Sequence, residues 1–191
     1  GVIIGGDLKK VQDVDLKAPD QVQEWVAHSW YKGDPAKGLH PFDGVTDPEF
    51  VLGPGTKGTR TKIENLDESA KYSWVKSPRW KGNPVEVGPL ARYIVAYARG
   101  NKEIKEQVDS VLKTLDVPVT ALFSTLGRTA ARGLEASWSA HKMKYFFDQL
   151  MGNLKAGDFT TANVEKWEPS SWPAEAKGVA PCEAPRGALA H

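Results

Sequence analysis

Cysteine is scarce in this sequence, and its scarcity excludes several kinds of site. The chain of 191 residues has one cysteine, Cys182. A single thiol cannot form an internal disulfide, and no pair of cysteines is available for a closed zinc or iron–sulfur site. Histidine does not replace it, because no two of the 4 histidines stand three or four residues apart with a carboxylate in support. The residues of this chain therefore predict no metal site of its own.

The sequence also lacks an excess of charge and a long apolar run. Lysine and arginine number 25 against 24 aspartates and glutamates, so the formal net charge is +1 at pH 7. A nearly neutral chain gives no electrostatic argument for binding nucleic acid or an anionic membrane. No run of about 18 apolar residues is present, so no membrane-spanning helix is expected. The opening GVIIGG is not expected to be a signal peptide, because it lacks a basic leader and a long apolar region.

Tryptophan, glycine and proline are what the sequence has in abundance. Its 7 tryptophans predict large buried surfaces or a partner interface. Glycine, proline, aspartate and threonine crowd residues 32–85, which predicts a long irregular loop region. We expect this region to pack over another part of a larger protein, with ligand binding as the alternative. Within it, GPGTKGT at residues 53–59 lacks the spacing of a phosphate-binding loop and is predicted to be a turn.

Residues 1–31 predict a hairpin followed by a helix. Two short apolar runs flank Gly5-Gly6-Asp7, which is typical of a hairpin. Pro19 then stands at a first-turn position, and apolar residues repeat after it at helical spacing. These residues are Val22, Trp25, Val26 and Trp30. A helix from Pro19 to about Tyr31 is therefore expected.

Residues 86–157 carry the helical period and predict part of a helical bundle. Three helices are expected: one from Pro89 to Gly100, one capped by Asn101 and ended by Asp116, and one from about Val119 to about Lys155. The last would be about 50 Å long at about 1.5 Å per residue, more than a domain of this size needs to cover itself. Residues 158–191 predict an extended, packed segment that ends in the EAPRG motif. The predicted fold class is mainly α with a small β element (α+β).

Three charged residues share one face of the third predicted helix. Arg128, Arg132 and Glu135 are separated by four and three positions, which places them side by side. Two arginines so placed need acidic partners, and Glu135 is one candidate. A structural ion-pair network is the favoured interpretation, and a proton or substrate path is the alternative.

Seven stretches distributed along the chain carry the most specific signal. In order they are HPFDGVTDP, YSWVKSPRW, NPVEVGPLARYIVAYARG, STLGRTAARGLEA, KYFFDQLMGNLKAGD, EKWEPSSWP and EAPRGALAH. Together they resemble the large subunit of nickel–iron hydrogenases, most of all the uptake, membrane-associated group. The resemblance extends from Gly1 to His191 and implies a section of that fold's helical-bundle core. The family's two C-x-x-C motifs are missing, so the chain is expected to be a central fragment, a single segment of a larger domain, and inactive alone.

The resemblance implies a reaction and roles for the EAPRG motif. The reaction is reversible oxidation of H2 to protons and electrons at a nickel–iron centre with diatomic ligands on iron, bound by cysteines outside this chain. The family's arginine matching Arg186 points its guanidinium at the open metal position, and the proline matching Pro185 lines the same canopy. Cys182 is either an inert core thiol or a member of that site. Polarisation by charged Arg186 is favoured over a role as base, because deprotonating a guanidinium at neutral pH costs roughly 8 kcal/mol.

The resemblance also implies partners and a location. The partners are the remaining parts of the large subunit, an iron–sulfur small subunit and H2, and the location is periplasmic or membrane-associated through partner subunits. Two alternatives stay open: a metal-free quinone-site subunit of a respiratory complex with the same fold, and a noncatalytic helical interaction module whose tryptophans bind a partner. The EAPRG motif argues against the quinone-site alternative, because a canopy arginine has little purpose without a metal.

Overall fold

The computed structural model describes most of the chain. The described residues are 1–25, 28–32, 38–44, 47–53, 63–66, 69, 71–176 and 178–190. Apart from Gly53, the GPGTKGT segment lies outside them. The chain divides into two compact units. The first comprises Gly1–Val2, Gln12–Gly88 and Val179–His191, and the second comprises Ile3–Val11 and Pro89–Gly178.

Three α-helices build the described part of the second unit, as the sequence predicts. They are α1 (Pro89–Ala98), α2 (Lys102–Leu115) and α3 (Thr125–Lys155). The Asn101 side chain caps α2 by accepting a hydrogen bond from the Ile104 backbone N–H at 3.1 Å. Asp116 ends α2 in the left-handed conformation. Local capping chemistry therefore sets both ends of α2.

The predicted start of the third helix is wrong by several residues. Val119–Leu122 form a 3-10 turn, and α3 begins only at Thr125. Ser124 has an extended backbone, and its hydroxyl accepts a hydrogen bond from the Gly127 N–H at 3.0 Å. Serine capping of this kind starts a new helix.

The core of the second unit lies where the three helices meet. Its buried residues are Leu90, Tyr93, Ile94, Ile104, Val108, Leu122 and Ala131. Ile3 and Leu8 from the start of the chain pack against this cluster. Val108 is 1% exposed, and full burial of such a side chain stabilises the fold by about 1.5–3 kcal/mol.

The predicted N-terminal hairpin is present, and the helix predicted after it is not. Strand β1 (Val2–Ile3) pairs with β2 (Val11–Gln12), as the Gly5-Gly6-Asp7 turn signal indicates. The segment expected as helix forms β3 (Val22–Trp25) instead. Strand β3 pairs antiparallel with β6 (Ser77–Trp80), so that Val22 lies opposite Trp80. Pairing with a strand more than 50 positions away overrides the helical spacing, as tertiary context often does.

The described residues between 32 and 85 include paired strands. Strand β4 (Val51–Gly53) pairs antiparallel with β5 (Ile63–Asn65). Strand β6 continues through a turn at Lys81–Gly82 into β7 (Asn83–Pro84). Near the C-terminus, β8 (Pro181–Ala184) and β9 (Gly187–Ala190) form a further pair. The α+β fold class is confirmed, with β-structure in more places than the small element predicted.

No α-helix within the described residues is long and apolar enough to cross a bilayer.

Candidate functional site

The EAPRG motif forms the end of a β-hairpin rather than a simple extended segment. In the pairing of β8 with β9, Pro181 lies opposite Ala190 and Ala184 lies opposite Gly187. Pro185 and Arg186 are thus the two residues that connect the strands. Neither has a positive φ, and the fixed φ of proline suits the first central position of such a turn. The hairpin therefore holds Arg186 at its end.

The turn that carries Arg186 packs tightly against the Val87–Gly88 backbone, in the same compact unit. Gly88 is buried and has φ +111°, a conformation that glycine alone adopts readily. A Cβ at Gly88 would lie 2.9 Å from the carbonyl oxygen of Arg186, closer than real Cβ contacts. A Cβ at Gly187 would lie 3.0 Å from Cγ2 of Val87. Two glycines thus permit the close approach of the NPVEVGPLARY and EAPRG motifs.

The three predicted canopy residues are all exposed in this structure. Arg186 and Pro185 occupy the turn, and Cys182 lies on β8 opposite Leu189. Cys182 is thus not a core thiol within the described residues, and its place in the canopy stays a prediction. No described residue forms a hydrogen bond or ion pair with the Arg186 side chain. The printed contacts therefore hold the backbone of Arg186, and its side chain is exposed.

The predicted ion network has a different principal pair. The carboxylate of Glu135 on α3 accepts two hydrogen bonds from Arg92 on α1, from Nε at 2.8 Å and from Nη2 at 2.9 Å. Arg132 donates through Nη1 to the backbone carbonyl of Arg128 at 3.2 Å, within its own helix. The expectation that Glu135 serves the two arginines of its own face needs correction, because a bidentate pair with Arg92 occupies both of its oxygens. Sequence reasoning missed Arg92 because it lies 43 positions away.

A chain of hydrogen bonds beside this pair joins the three helices. Tyr93 donates its hydroxyl to Gln107 at 2.9 Å, and Gln107 donates its amide to the Leu134 carbonyl at 2.9 Å. Burial, and secondly the negative charge of Glu135, raise the pKa of Tyr93 to about 12. The tyrosine is therefore a neutral donor at ordinary pH, which fits a structural role.

Two motifs of the first unit also meet at a cluster of polar contacts. Glu24 on β3 forms an ion pair with Lys76 at 2.5 Å, and a Cβ at Gly44 would collide with the Glu24 carboxylate. Both ring nitrogens of buried His40 are engaged, Nδ1 with the Phe42 N–H at 3.1 Å and Nε2 with the Leu16 carbonyl at 2.9 Å. These contacts give HPFDG and KSPRW a structural explanation, and they leave His40 without a free nitrogen for a metal.

The metal donors among the described residues do not form a site together. Among the described residues, no three of the histidine, cysteine, aspartate and glutamate side chains are grouped so that they could hold a metal ion. The single cysteine of the sequence cannot supply a set of thiolates, and thiolates are the soft ligands that bind iron and nickel centres. The residues present therefore do not fit a nickel–iron group by themselves.

Comparison with known proteins identifies the family. The sequence model described as nickel-dependent hydrogenase matches residues 1–191. The uptake hydrogenase large subunit of Bradyrhizobium diazoefficiens is 62% identical over 192 residues, covering 100% of this chain and 32% of that protein. The hydrogenase-1 large chain of Escherichia coli is 51% identical over 192 residues, with the same 100% and 32% coverage. The chain thus spans 32% of the length of these curated relatives.

A solved structure shares the fold. The [NiFeSe]-hydrogenase of Dm. baculatum superposes with a TM-score of 0.54 at 30% identity, covering 94% of this chain and 32% of that chain. The predicted resemblance to hydrogenase large subunits is confirmed. Because its sequence is matched over all 191 residues and its fold recurs in a solved member, the chain belongs to the nickel-dependent hydrogenase family.

Proposed function

We propose that this chain is part of the catalytic subunit of a nickel–iron hydrogenase that oxidises H2 reversibly and passes the electrons to an iron–sulfur small subunit. The observation that carries the proposal is the exposed Arg186 at the end of a hairpin whose turn packs against Val87–Gly88. The relatives named as uptake hydrogenase large subunits support the reaction type.

The nickel–iron centre, with its diatomic iron ligands, would be held by cysteines outside this chain. Its chemistry is the splitting of H2, and the residues described here take no part in ligation. Their proposed contribution is to present one positive charge, that of Arg186. A charged guanidinium placed in advance stabilises negative charge that develops in a reaction, without reorganisation at the moment of reaction. Arg186 is proposed to act in this way, and Pro185 and Cys182 are proposed as its neighbours in the canopy.

The surface of α3 supports the need for further parts of the large subunit. Large apolar side chains on its second half are exposed, among them Met143 at 73%, Phe146 at 64% and Phe147 at 60%. Apolar patches of this extent usually mark an interface in a soluble protein. We therefore expect the isolated chain to bind no nickel and to be inactive. The complete enzyme is proposed to work at a periplasmic or membrane-associated location through its partner subunits.

Metal analysis and a hydrogen assay of the full-length protein test the proposal. The large subunit, co-expressed with its small subunit, is expected to contain nickel and iron and to reduce a viologen dye with H2. A folded complex without nickel that bound a quinone would favour a metal-free quinone-site subunit instead. A complex that lacked both metals and bound only protein would favour the interaction module.

A further inference from the structure

Two independent close approaches join the Arg186 turn to the chain segment before α1. At Gly88 the approach is between backbones, because a side chain there would meet the Arg186 carbonyl oxygen at 2.9 Å and its carbonyl carbon at 3.3 Å. At Gly187 the approach involves a side chain, because a Cβ would meet Val87 Cγ2 at 3.0 Å. The two contacts lie on either side of the Arg186–Gly187 peptide bond. They restrain the position of that peptide from both ends.

The restraint matters because β8 and β9 pair only with each other among the described strands. A two-stranded ribbon is marginally stable by itself. In β8 and β9, Cys182, Glu183, Ala188 and Leu189 are exposed. The half-buried position of Gly187 and the burial of Gly88 mark the place where the ribbon gains a firm contact. The position of the Arg186 Cα therefore depends on the Val87–Gly88 backbone.

We propose that Val87 and Gly88 are positioning residues for Arg186. The absence of a side chain at Gly88 lets the Arg186 carbonyl approach, and Val87 restrains Gly187, the residue after Arg186. The inference rests on the proposed function, in which the Arg186 guanidinium acts at the reaction centre. Catalytic groups must be held within a fraction of an ångström, and a misplacement of about 1 Å costs about 100-fold in rate. Displacing the Arg186 carbonyl is therefore expected to lower turnover without touching the reacting atoms.

Gly88→Ala in the complete two-subunit enzyme is the first test. We expect turnover per nickel to fall by about 10–100-fold, with nickel and iron content unchanged. A readout independent of activity is amide hydrogen exchange of the peptide covering residues 181–190, which should become faster. Gly82→Ala is the matched control, because Gly82 also has a positive φ of +76° but nothing within 4 Å of a built Cβ. The control should leave both turnover and exchange at the wild-type values.

Gly187→Ala and its rescue form a second test that involves no backbone strain. Gly187 is not among the glycines with positive φ, so an alanine there meets only Val87. The single variant should lower turnover per nickel and speed exchange at residues 181–190. Adding Val87→Ala removes the Cγ2 atom in contact and should restore both readouts. If Gly88→Ala fails to assemble, this pair of variants decides the question.

Arg186→Lys separates the inference from the proposed function. If Arg186→Lys leaves turnover normal, the proposed function fails. If it lowers turnover while Gly88→Ala and Gly187→Ala leave turnover and exchange at wild-type values, the positioning inference is overturned. In the Arg186→Lys background, Gly88→Ala should cause little further loss of turnover, because it acts through the arginine. An equal further loss in that background would also overturn the inference.

Discussion

The two halves of α3 differ in how they are covered, although they belong to one continuous helix. The first half packs on α1 and α2, buries Ala131 and ties Glu135 to Arg92. The second half exposes Phe146, Phe147 and other large apolar side chains. Burial of apolar area is the main favourable contribution to folding. The first half is therefore stabilised within the described residues, whereas the second half depends on surfaces beyond them.

Glu135→Ala is expected to destabilise the first half of α3, the well-packed half, more than any other change proposed here. The change leaves Arg92 partly buried without its bidentate partner, and removing one member of such a pair costs about 3 kcal/mol. We expect a lower yield of assembled full-length enzyme, with turnover per nickel near normal. Arg132→Ala is the control, because Arg132 bonds a carbonyl of its own helix and is exposed. Loss of turnover with assembly and metal content intact would instead favour a proton path through this cluster.

Two glycines of α3 give opposite expectations. A Cβ at Gly127 would collide with the Leu122 carbonyl oxygen, whereas a Cβ at Gly133 has nothing within 4 Å. In the isolated chain, Gly127→Ala should lower the free energy of unfolding by about 1–3 kcal/mol through overpacking. Gly133→Ala should raise it by about 1 kcal/mol through helix propensity. Urea denaturation measures both, and a destabilising Gly133→Ala would show a neighbour that the described residues do not include.

Tyr93 is expected to make the chain less stable as the pH becomes alkaline. Its pKa is raised to about 12 in the folded chain, above the ordinary value of 10.0. The folded state therefore retains the proton that the unfolded state loses, and stability present below pH 10 is lost as the pH rises toward 12. Tyr93→Phe should remove this contribution to the slope of unfolding free energy against pH in that window. An unchanged slope in the variant would contradict the buried position of the hydroxyl.

Leu150→Ala should have the smallest effect in the isolated chain and a larger one in the complete subunit. Leu150 is 52% exposed, and surface substitutions usually change stability by less than about 0.5 kcal/mol. If the remaining large subunit covers this face, the same substitution should lower the melting temperature of the full-length protein measurably. Equal and negligible effects in both proteins would remove the contrast between the two halves of α3.

Local signals in the sequence were sufficient for α1 and α2 but not for the partners of the strands. Asn101 and Asp116 act on backbone groups within a few residues, so capping rules find them. Strand β3 depends on Ser77–Trp80, and no local pattern around Val22 reveals that partner. For α3, the capping residue Ser124 was available in the sequence, yet the helix was predicted to begin at about Val119.

The candidate site was predicted in its residues but not in its geometry. The resemblance pointed to Arg186, yet the hairpin was missed because Pro185-Arg186 lacks the asparagine–glycine or glycine-first signal of common two-residue turns. Gly88 attracts no notice in the sequence beyond standing before the helix-starting Pro89. Its importance comes from a contact with a residue almost 100 positions later, which only the folded chain shows.

Hydrogen turnover of a fully metal-loaded Arg186→Lys enzyme tests the central claim most directly. Lysine retains the positive charge but loses the planar guanidinium and places its ammonium differently, so the change tests positioning rather than charge. Nickel and iron content should be unchanged, and turnover per nickel should fall by at least about 100-fold, the scale of losing one preorganised electrostatic group. Normal turnover in the loaded Arg186→Lys enzyme would contradict the catalytic assignment and leave the EAPRG hairpin with a structural role.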